Sequence, residues 1–237
     1  MDKLVIIPTY NEKENIEAII TAVMNLPLEY HVLIIDDGSP DGTAAIVKDM
    51  MANKYPGKLG LGTAYITGFK WAIEHKYDYI FEMDADFSHN PEDLLKLYDA
   101  CANKGADVAI GSRYVSGVNV VNWPMGRVLM SYFASKYVRF VLGVNIHDTT
   151  AGFKCYRRQV LETIELDKIR FKGYAFQIEM KYTAYKCGFT IQEVPIVFVN
   201  RVLGTSKMSG GIFSEALLGV IRLKISSWTR KYPQKNA

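Results

Sequence analysis

Short, nearly continuous apolar runs alternate with longer amphipathic segments along the first half of the chain. Runs of this length, apolar on both faces, are typical of strands in a parallel sheet that helices cover on both sides. Four such strands are predicted, at residues 4–7, 32–35, 79–83 and 108–110. The pattern therefore indicates the centre of an open sheet.

The segments between these strands carry the signals of helices. Three helices are predicted, at residues 14–24, 63–75 and 91–104. The first places its isoleucines and Val23 on one face, and the last ends before Gly105. This alternation of strand and helix predicts an α/β fold whose site lies at the carboxyl ends of the strands.

The composition is that of a folded globular protein. With 237 residues, of which 49% are hydrophobic and 22% charged, the chain can bury a full core. A net charge of +3 is too small for a general nucleic-acid binder. Cys101, Cys155 and Cys187 are scattered, which predicts a reducing cytosolic setting without disulfides. Because Met1 leads almost directly into the first strand, we expect no signal peptide.

Two carboxylates, Asp84 and Asp86, follow the third predicted strand with one residue between them. Because alternate residues of an extended chain point the same way, both can hold a divalent cation against a diphosphate. A solvated strand end before a helix cap would carry the same residues. The pair alone leaves both interpretations open.

Polar and aromatic residues also follow the first two strands. Residues 8–12 and 36–43 lie where a nucleotide binds in an α/β sheet, and they offer an aromatic ring, backbone donors and carboxylates. Taken singly, each turn is explained equally well by helix caps and turn-forming glycines. Residues 60–62, Gly-Leu-Gly, lack the spacing of a P-loop.

Taken together, the motifs at residues 8–12, 36–41, 60–64 and 84–86 resemble glycosyltransferase family 2, whose members have a GT-A fold. Four downstream motifs are similar to those of the polyprenyl-phosphate (dolichyl-phosphate) mannose synthases. They lie at residues 111–114, 123–131, 148–154 and 193–207. We therefore expect a GT-A type open, mostly parallel sheet in a catalytic domain at 1–208, and a C-terminal amphipathic basic helix at 209–237.

The resemblance implies a role for each matching position. Positions that hold the nucleoside are matched by Pro8, Tyr10, Glu12 and Asp37. The site for Mg²⁺ or Mn²⁺ and the diphosphate is matched by Asp84, Asp86 and Ser88. Relatives often have Gln where Ser88 stands, but a hydroxyl can still bind such a cation directly or through water.

The resemblance further implies a cluster for the acceptor phosphate: Arg113, Arg127, Ser131, Arg201 and Lys207. The implied reaction is inverting transfer of mannose from GDP-mannose to polyprenyl phosphate, with Asp86 and the three arginines catalytic. A cation offsets charge on the leaving diphosphate. The acceptor phosphate is already anionic at neutral pH, so no catalytic base is assigned, and guanidinium groups suit two converging anions.

Three alternatives stay open at this point. The first is another polyprenyl-phosphate transferase, one that uses a UDP-sugar such as UDP-glucose. It stays open because few residues that could contact the base can be identified. A non-catalytic protein could bind a nucleotide-sugar through the same motifs. A metal-dependent pyrophosphorylase would require a Gly-rich triphosphate loop near the amino terminus, which residues 8–12 do not provide.

Two later segments, at residues 126–143 and 212–228, mix apolar with basic residues and carry too much charge to span a bilayer. They predict amphipathic helices in a membrane interface, or else helices that close the core. The basic carboxyl end favours anionic lipid. We expect a peripheral, monotopic protein at the cytoplasmic face of a membrane, and the missing anchor leaves room for a small membrane partner subunit.

Three expectations concern single segments. His89 either reaches the phosphate or metal, or lies on the surface where a helix begins. Gln177 is the one residue of its helix that could contact the sugar. The family's third strand has no counterpart between Asn53 and Gly60, where about ten residues, a strand with its loop, are expected to be absent near Pro56-Gly57.

Overall fold

A seven-stranded sheet forms the centre of the protein. The computed structural model describes residues 1–53, 59–62, 65–171, 173–201 and 210–235. The strands in chain order are β1 (Lys3–Thr9), β2 (His31–Asp36), β3 (Leu59–Gly62), β4 (Tyr79–Glu82), β5 (Val108–Ser112), β6 (Val120–Val121), β7 (Lys154–Arg157), β8 (Ile191–Pro195) and β9 (Phe198–Val199). The sheet order is β3-β2-β1-β4-β7-β5-β8, with β7 antiparallel to both neighbours, while β6 and β9 pair separately.

Helices cover both faces of this sheet. They are α1 (Ile16–Met24), α2 (Thr43–Asn53), α3 (Tyr65–Glu74), α4 (Asp93–Ala102), α5 (Met125–Leu142), α6 (Arg158–Thr163), α7 (Gly173–Lys186) and α8 (Gly210–Ser226). Alternate residues of β1 point to opposite faces, so Leu4 and Ile6 join one core and Val5 and Ile7 the other. The predicted α/β fold, mostly parallel with helices on both faces, is confirmed.

The third strand differs from expectation. We expected no strand before Gly60, but β3 (Leu59–Gly62) pairs in parallel with residues 32–35 of β2. An edge strand needs only backbone hydrogen bonds to one neighbour, so a Gly-Leu-Gly sequence with little apolar length still forms one. The expected absence of residues near Pro56-Gly57 falls outside the described residues.

Helices α5 and α8 each divide into two faces. Their inner faces place Val138, Leu142, Val220 and Leu223 in the core shared with the sheet. Their outer faces expose large apolar side chains: Leu129, Phe133, Phe140, Leu218, Ile221 and Ile225. One face of each helix therefore closes the core, and the opposite face forms an exposed amphipathic surface. In the part of the chain that the structure describes, no helix is long and apolar enough to cross a membrane.

The C-terminal segment is helical only to Ser226, so the prediction of a helix was wrong for residues 227–235. Beyond α8 the chain folds back onto the sheet domain. Arg230 pairs with Glu179 at 3.4 Å between Nη1 and Oε1, and Lys235 Nζ lies 2.8 Å from Asp107 Oδ2. Both carboxylates are buried and need a cation nearby, which explains why this basic tail binds the protein itself.

Candidate active site

The turns after β1 and β2 are joined by hydrogen bonds. The backbone N–H of Asn11 donates to Ser39 Oγ at 2.9 Å, and that of Lys13 donates to Asp41 Oδ2 at 3.0 Å. Asn11 has φ +54° and Gly38 has φ +78°, a left-handed conformation that Asn and Gly adopt at low cost. These two residues let the neighbouring loops contact each other at the carboxyl edge of the sheet.

Asp36 and Asp37 are adjacent but differ in role. Asp36 is buried and accepts hydrogen bonds from Thr9 Oγ1 at 3.0 Å, Ser39 N at 2.9 Å and Ser39 Oγ at 2.5 Å. Partial burial opposes its ionisation, but the hydrogen bonds from Ser39 and Thr9 outweigh that effect and lower the pKa of Asp36. Asp37 is exposed, so of the two it is the carboxylate available to a ligand.

The predicted nucleoside residues lie around these turns. Pro8 pairs with Ile35 in the sheet, so Tyr10 and Asp37 leave adjacent strand ends, and both side chains are exposed. Glu12 is largely buried, accepts from Asn15 Nδ2 at 3.0 Å and begins the turn into α1. The structure thus brings Pro8, Tyr10 and Asp37 to one edge, with Glu12 beside them; their contact with a nucleoside stays a prediction.

Asp84 and Asp86 lie in the loop after β4, which pairs with β1. The Asp86 side chain is 6% exposed and that of Asp84 is 53% exposed. Asp86 Oδ1 accepts from Ser88 N at 3.0 Å and Ser88 Oγ at 2.5 Å, and its Oδ2 lies 2.9 Å from Arg201 Nη2. Phe87 has φ +57°, which is uncommon for a bulky side chain and turns Ser88 back onto Asp86.

The charge distribution at this loop fits a divalent cation. Although half of the Asp84 side chain is exposed, desolvation by the protein around it, and then the negative charge of Asp86, raise the pKa of Asp84 to about 6. Two carboxylates completed by substrate phosphate oxygens are a common ligand set for Mg²⁺. Within the described residues there is no cluster of three or more His, Cys, Asp or Glu that could cage the ion. Since the Ser88 hydroxyl donates to Asp86, its assignment as a third ligand stays a prediction.

His89 is buried, so of its two predicted positions the one on the surface was wrong. Its ring stacks on Phe153 with centroids 4.8 Å apart and meets Phe198 edge-on at 5.1 Å, contacts that favour a buried ring. Burial lowers the pKa of His89 to about 4, so the ring is neutral at physiological pH. Its Nδ1 lies 3.9 Å from Asp84 Oδ2, which is too long for a direct hydrogen bond.

A buried ion pair lies at the base of the Asp84 loop. Lys154 Nζ of β7 is 2.9 Å from Glu82 Oε2 of β4, and both side chains are fully buried. Gln177 of α7 donates from Nε2 to Glu82 Oε2 at 2.9 Å and accepts from Lys154. Burial lowers the pKa of Lys154, an effect that Glu82 opposes. Gln177 therefore belongs to this network, and its predicted sugar contact stays a prediction.

Arg113, at the end of β5, forms a buried two-point ion pair with Asp148. Its Nε donates to Asp148 Oδ2 at 2.7 Å and its Nη2 to Oδ1 at 2.6 Å, and Nη2 also donates to Thr150 Oγ1 at 2.8 Å. Glu193 of β8 accepts from the backbone N–H of Asp148 at 2.8 Å, which fixes the loop. This geometry encloses the Arg113 guanidinium in protein contacts, and its contact with a phosphate stays a prediction.

Arg127 and Ser131 lie one turn apart at the start of α5. Arg127 Nη1 donates to Asn200 Oδ1 at 3.1 Å, and Ser131 Oγ accepts from Tyr114 Oη at 2.8 Å. Residues four apart share a helix face, so both belong to one surface. Asn200 directly precedes Arg201, so the end of β9 supplies one residue to Arg127 and the next to the carboxylate loop. Lys207 lies outside the described residues.

Sequence reasoning did not single out three side chains of this region: Glu82, Lys154 and Asn200. Glu82 interrupts an otherwise apolar strand. A charge in such a position signals a buried ion pair, and Lys154 carries the opposite sign. That signal could have suggested the pair. Asn200 carries no comparable signal, because nothing local distinguishes it from a surface amide.

Comparison with known proteins identifies the family. The model of Glycosyl transferase family 2 matches residues 4–165, which is more than half of the chain. The chain belongs to glycosyl transferase family 2.

Two curated relatives of this family 2 protein are similar over nearly its whole length. The polyprenol monophosphomannose synthase of Mycolicibacterium smegmatis is 49% identical over 234 residues, covering 95% of this chain and 86% of the relative. The undecaprenyl-phosphate mannosyltransferase of Micrococcus luteus is 46% identical over 230 residues, covering 94% of this chain and 93% of the relative.

Solved structures of Mycobacterium tuberculosis glucosyl-3-phosphoglycerate synthase share the fold. The complex with Mn²⁺, UDP-glucose and phosphoglyceric acid superposes with a TM-score of 0.67 at 14% identity, covering 97% of this chain and 80% of that chain. The complex with Mn²⁺, UDP and glucosyl-3-phosphoglycerate gives 0.65 at 16% identity, covering 95% and 79%. At this identity the likeness establishes the architecture alone.

Proposed function

We propose that this family 2 transferase moves mannose from GDP-mannose to a polyprenyl phosphate, releases GDP and inverts the anomeric centre. The observation that carries the proposal is the 49% identity, over 95% of the chain, to a polyprenol monophosphomannose synthase. The site supports it, because carboxylates suited to a metal diphosphate lie beside arginines suited to a second phosphate.

The donor would lie across the ends of β1, β2 and β4. Tyr10 and Asp37, with Pro8 and Glu12, would contact the nucleoside. Asp84 and Asp86, and in this proposal Ser88, would hold Mg²⁺ or Mn²⁺ with the diphosphate; Mn²⁺ complexes of the structural neighbours support this. The cation, when bound, offsets negative charge that develops on the leaving diphosphate.

The acceptor phosphate would bind on the arginine side. A phosphate monoester is mostly dianionic near neutral pH and needs no base to become a nucleophile. Arg127, Ser131 and Arg201 would form its charge-assisted contacts, with Arg113 behind them and Lys207 a further member. Because Arg201 Nη2 already lies 2.9 Å from Asp86, a phosphate held by Arg201 would lie next to the donor diphosphate.

One observation favours a second donor class. The structural neighbours include complexes with UDP-glucose, so the fold accommodates a uridine nucleotide. A polyprenyl-phosphate transferase that uses a UDP-sugar would keep every element of the mechanism above except the contacts to the base.

We further propose that the outer faces of α5 and α8 bind the membrane surface. Phe140 is 89% exposed and Trp228, just beyond α8, is 74% exposed, next to exposed basic residues such as Lys136 and Arg222. This mixture suits the interface of an anionic bilayer. Three free, buried cysteines support a reducing compartment, hence the cytoplasmic face. A small membrane partner subunit could use the same exposed stripes.

The first arm of the test measures the reaction. Detergent-dispersed polyprenyl phosphate is incubated with the protein and equal concentrations of GDP-mannose, UDP-glucose or UDP-N-acetylglucosamine, with Mg²⁺, Mn²⁺ or EDTA. Mass spectrometry then detects lipid-linked sugar. We expect a metal-dependent product from GDP-mannose alone. A product from a UDP-sugar alone would overturn the donor, and nucleotide binding without any product would indicate a binding protein.

The second arm measures membrane binding by flotation with anionic vesicles. The variant F133S/F140S/L218S/I225S changes exposed positions only, so it should remain folded while losing most vesicle binding. Tyr185→Ser, on the exposed surface of α7, is the matched control and should float like the wild type. Unchanged flotation of the fourfold variant would contradict the membrane proposal.

A further inference from the structure

Two guanidinium groups meet at the ring of Trp123, in the loop before α5. Arg127 Cζ lies 3.9 Å from the ring centroid, and Arg113 Cζ lies 5.6 Å from it. Both distances are within the range of cation–π attraction, which is strongest for Trp. The Trp123 ring therefore stacks closely on Arg127 and lies farther from Arg113, whose charge Asp148 compensates.

The ring of Trp123 is oriented by the β6–β9 pair. Phe198 of β9 meets it at 5.1 Å with an interplanar angle of 69°, and the same Phe198 ring lies 5.5 Å from Arg113 Cζ. β9 is followed directly by Asn200, which accepts from Arg127, and by Arg201, which pairs with Asp86. Trp123 thus contacts β9, whose end supplies one residue to Arg127 and the next to Asp86.

The indole N–H of Trp123 is buried and has no acceptor among the residues that the structure describes. A buried Trp N–H usually finds a partner, and leaving one unmade costs the desolvation of the donor. The N–H groups of the two guanidinium groups make the cluster rich in donors, although Asp148 compensates the charge of Arg113, and the enclosed indole N–H itself does not reach a ligand. The complement of such a cluster is an anion with several acceptor oxygens, as in a phosphate.

We infer that Trp123 is a positioning residue for the acceptor phosphate. By stacking, it fixes the Arg127 guanidinium near Arg113, while the N–H groups at the edge of a stacked guanidinium remain able to bind phosphate oxygens. The inference rests on the proposed function for the identity of the acceptor. Beyond the proposed function, it assigns recognition of the acceptor's phosphate to Arg127 stacked on Trp123. This pair contacts neither the prenyl chain nor the donor.

The test measures binding of farnesyl phosphate and of farnesol, which lacks the phosphate, to wild type, W123F and W123L by calorimetry. Leu keeps apolar volume without a π face, whereas Phe keeps the face. We expect the Kd for farnesyl phosphate to rise about 10-fold in W123L and less than about 3-fold in W123F. The Kd for farnesol and the KM for GDP-mannose should stay within about 2-fold of wild type.

A double-mutant cycle separates positioning from packing. R127Q should weaken farnesyl phosphate binding, and adding W123L to R127Q should cause little further loss, because Trp123 acts through Arg127. Additive effects of the two changes would overturn the inference. So would equal losses in W123F and W123L, since those would indicate ring packing specific to Trp.

The proposed function can fail independently of this inference, because the binding assay contains no donor. If wild type transfers no mannose but binds farnesyl phosphate with coupling between Trp123 and Arg127, the donor assignment fails and the inference stands. If wild type binds farnesyl phosphate no better than farnesol, the inference is overturned, whatever the donor assay gives.

Discussion

The proposed donor and acceptor sides of the site hold their charged groups in different ways. On the donor side, Asp36 and Asp41 accept hydrogen bonds from hydroxyl and backbone N–H groups of the adjoining turns. On the acceptor side, Arg113 pairs with Asp148, and between the two sides, at the base of the Asp84 loop, Lys154 pairs with Glu82; both ion pairs are buried between different elements. In the first arrangement, carboxylates accept hydrogen bonds from neutral groups of the loops. In the second, groups of opposite charge are enclosed by protein.

This difference has an energetic consequence. A hydrogen bond within a turn contributes about 1 kcal/mol, and water can replace its partner when the loop opens. Removing one member of a buried ion pair costs about 3–5 kcal/mol, because the other charge remains without compensation. We therefore expect substitutions at the turn carboxylates to lower the free energy of unfolding only slightly. Removing one charge of a buried ion pair should lower it much more.

The largest effect should come from Asp86, where the two sides meet through Arg201. In D86N, we expect kcat to fall by a factor of at least about 100, since charge stabilisation of the leaving group is lost. Steady-state kinetics with saturating GDP-mannose measures this. Mn²⁺ affinity, followed by electron paramagnetic resonance, should fall in parallel.

Ser88→Ala is the matched control for D86N, because the backbone N–H of Ser88 still donates to Asp86 Oδ1. Its kcat should fall less than about 10-fold. Thermal unfolding of both variants checks that the fold is intact. Full activity of D86N would contradict the assignment of the metal site.

The sequence predicted the elements whose signals are local, and it did not predict those that depend on contacts between distant residues. The strands β1, β2, β4 and β5 and the carboxylates Asp84 and Asp86 could be predicted because their signals are local: apolar runs, turn residues and spacing. Strand β7 begins with Lys154, whose charge is acceptable only beside Glu82, 72 residues earlier. No local pattern contains that pairing, so β7 was not predicted.

The same limit applies within the site. The bond from Arg127 to Asn200 spans 73 residues, and the ion pair of Arg201 with Asp86 links the ends of two distant strands. The resemblance to family 2 assigned the arginines to one phosphate cluster, which stays a prediction, and it did not indicate that Arg113 would be enclosed by Asp148. Enclosure depends on how the loops pack, which a motif does not specify.

The second largest effect concerns stability. K154M leaves Glu82 buried without its cation, so we expect the free energy of unfolding to fall by about 3–5 kcal/mol. The double variant K154M/E82Q removes both charges and should recover most of that loss, because Gln177 can still bond to the neutral amide. Chemical denaturation measures all three proteins.

Asp41→Asn on the donor side is the comparison for K154M. Asn keeps one acceptor oxygen for the bonds from Thr43 but cannot accept the bond that Lys13 N–H donates to Asp41 Oδ2, so the loss should be about 1 kcal/mol. If K154M and D41N were equally stable, the expected difference between a buried ion pair and hydrogen bonds within a turn would be wrong. A double variant K154M/E82Q no more stable than K154M would show that volume, and not charge, matters at Lys154.

The smallest effect is a difference in acid sensitivity. Burial opposes ionisation of Asp148, but Arg113 outweighs it and holds the pKa of Asp148 below its ordinary value; hydrogen bonds from Thr43 and Lys13 similarly outweigh desolvation and lower that of Asp41. A carboxyl whose pKa is lower in the folded state stabilises the protein fully above its unfolded pKa, near 4, and loses that contribution as the pH falls further.

D148N should therefore be less stable than wild type at pH 7, and its free energy of unfolding should decline less steeply between about pH 5 and pH 3. The slope should change less in D41N, because its partners are hydroxyl and backbone groups on an accessible loop, whereas Asp148 faces a buried guanidinium. Urea denaturation at half-unit pH steps measures both slopes. A D148N profile parallel to wild type would mean that the Arg113 pair contributes no pH-dependent stability, and that the acceptor side is held by packing around Arg113 and not by its charge.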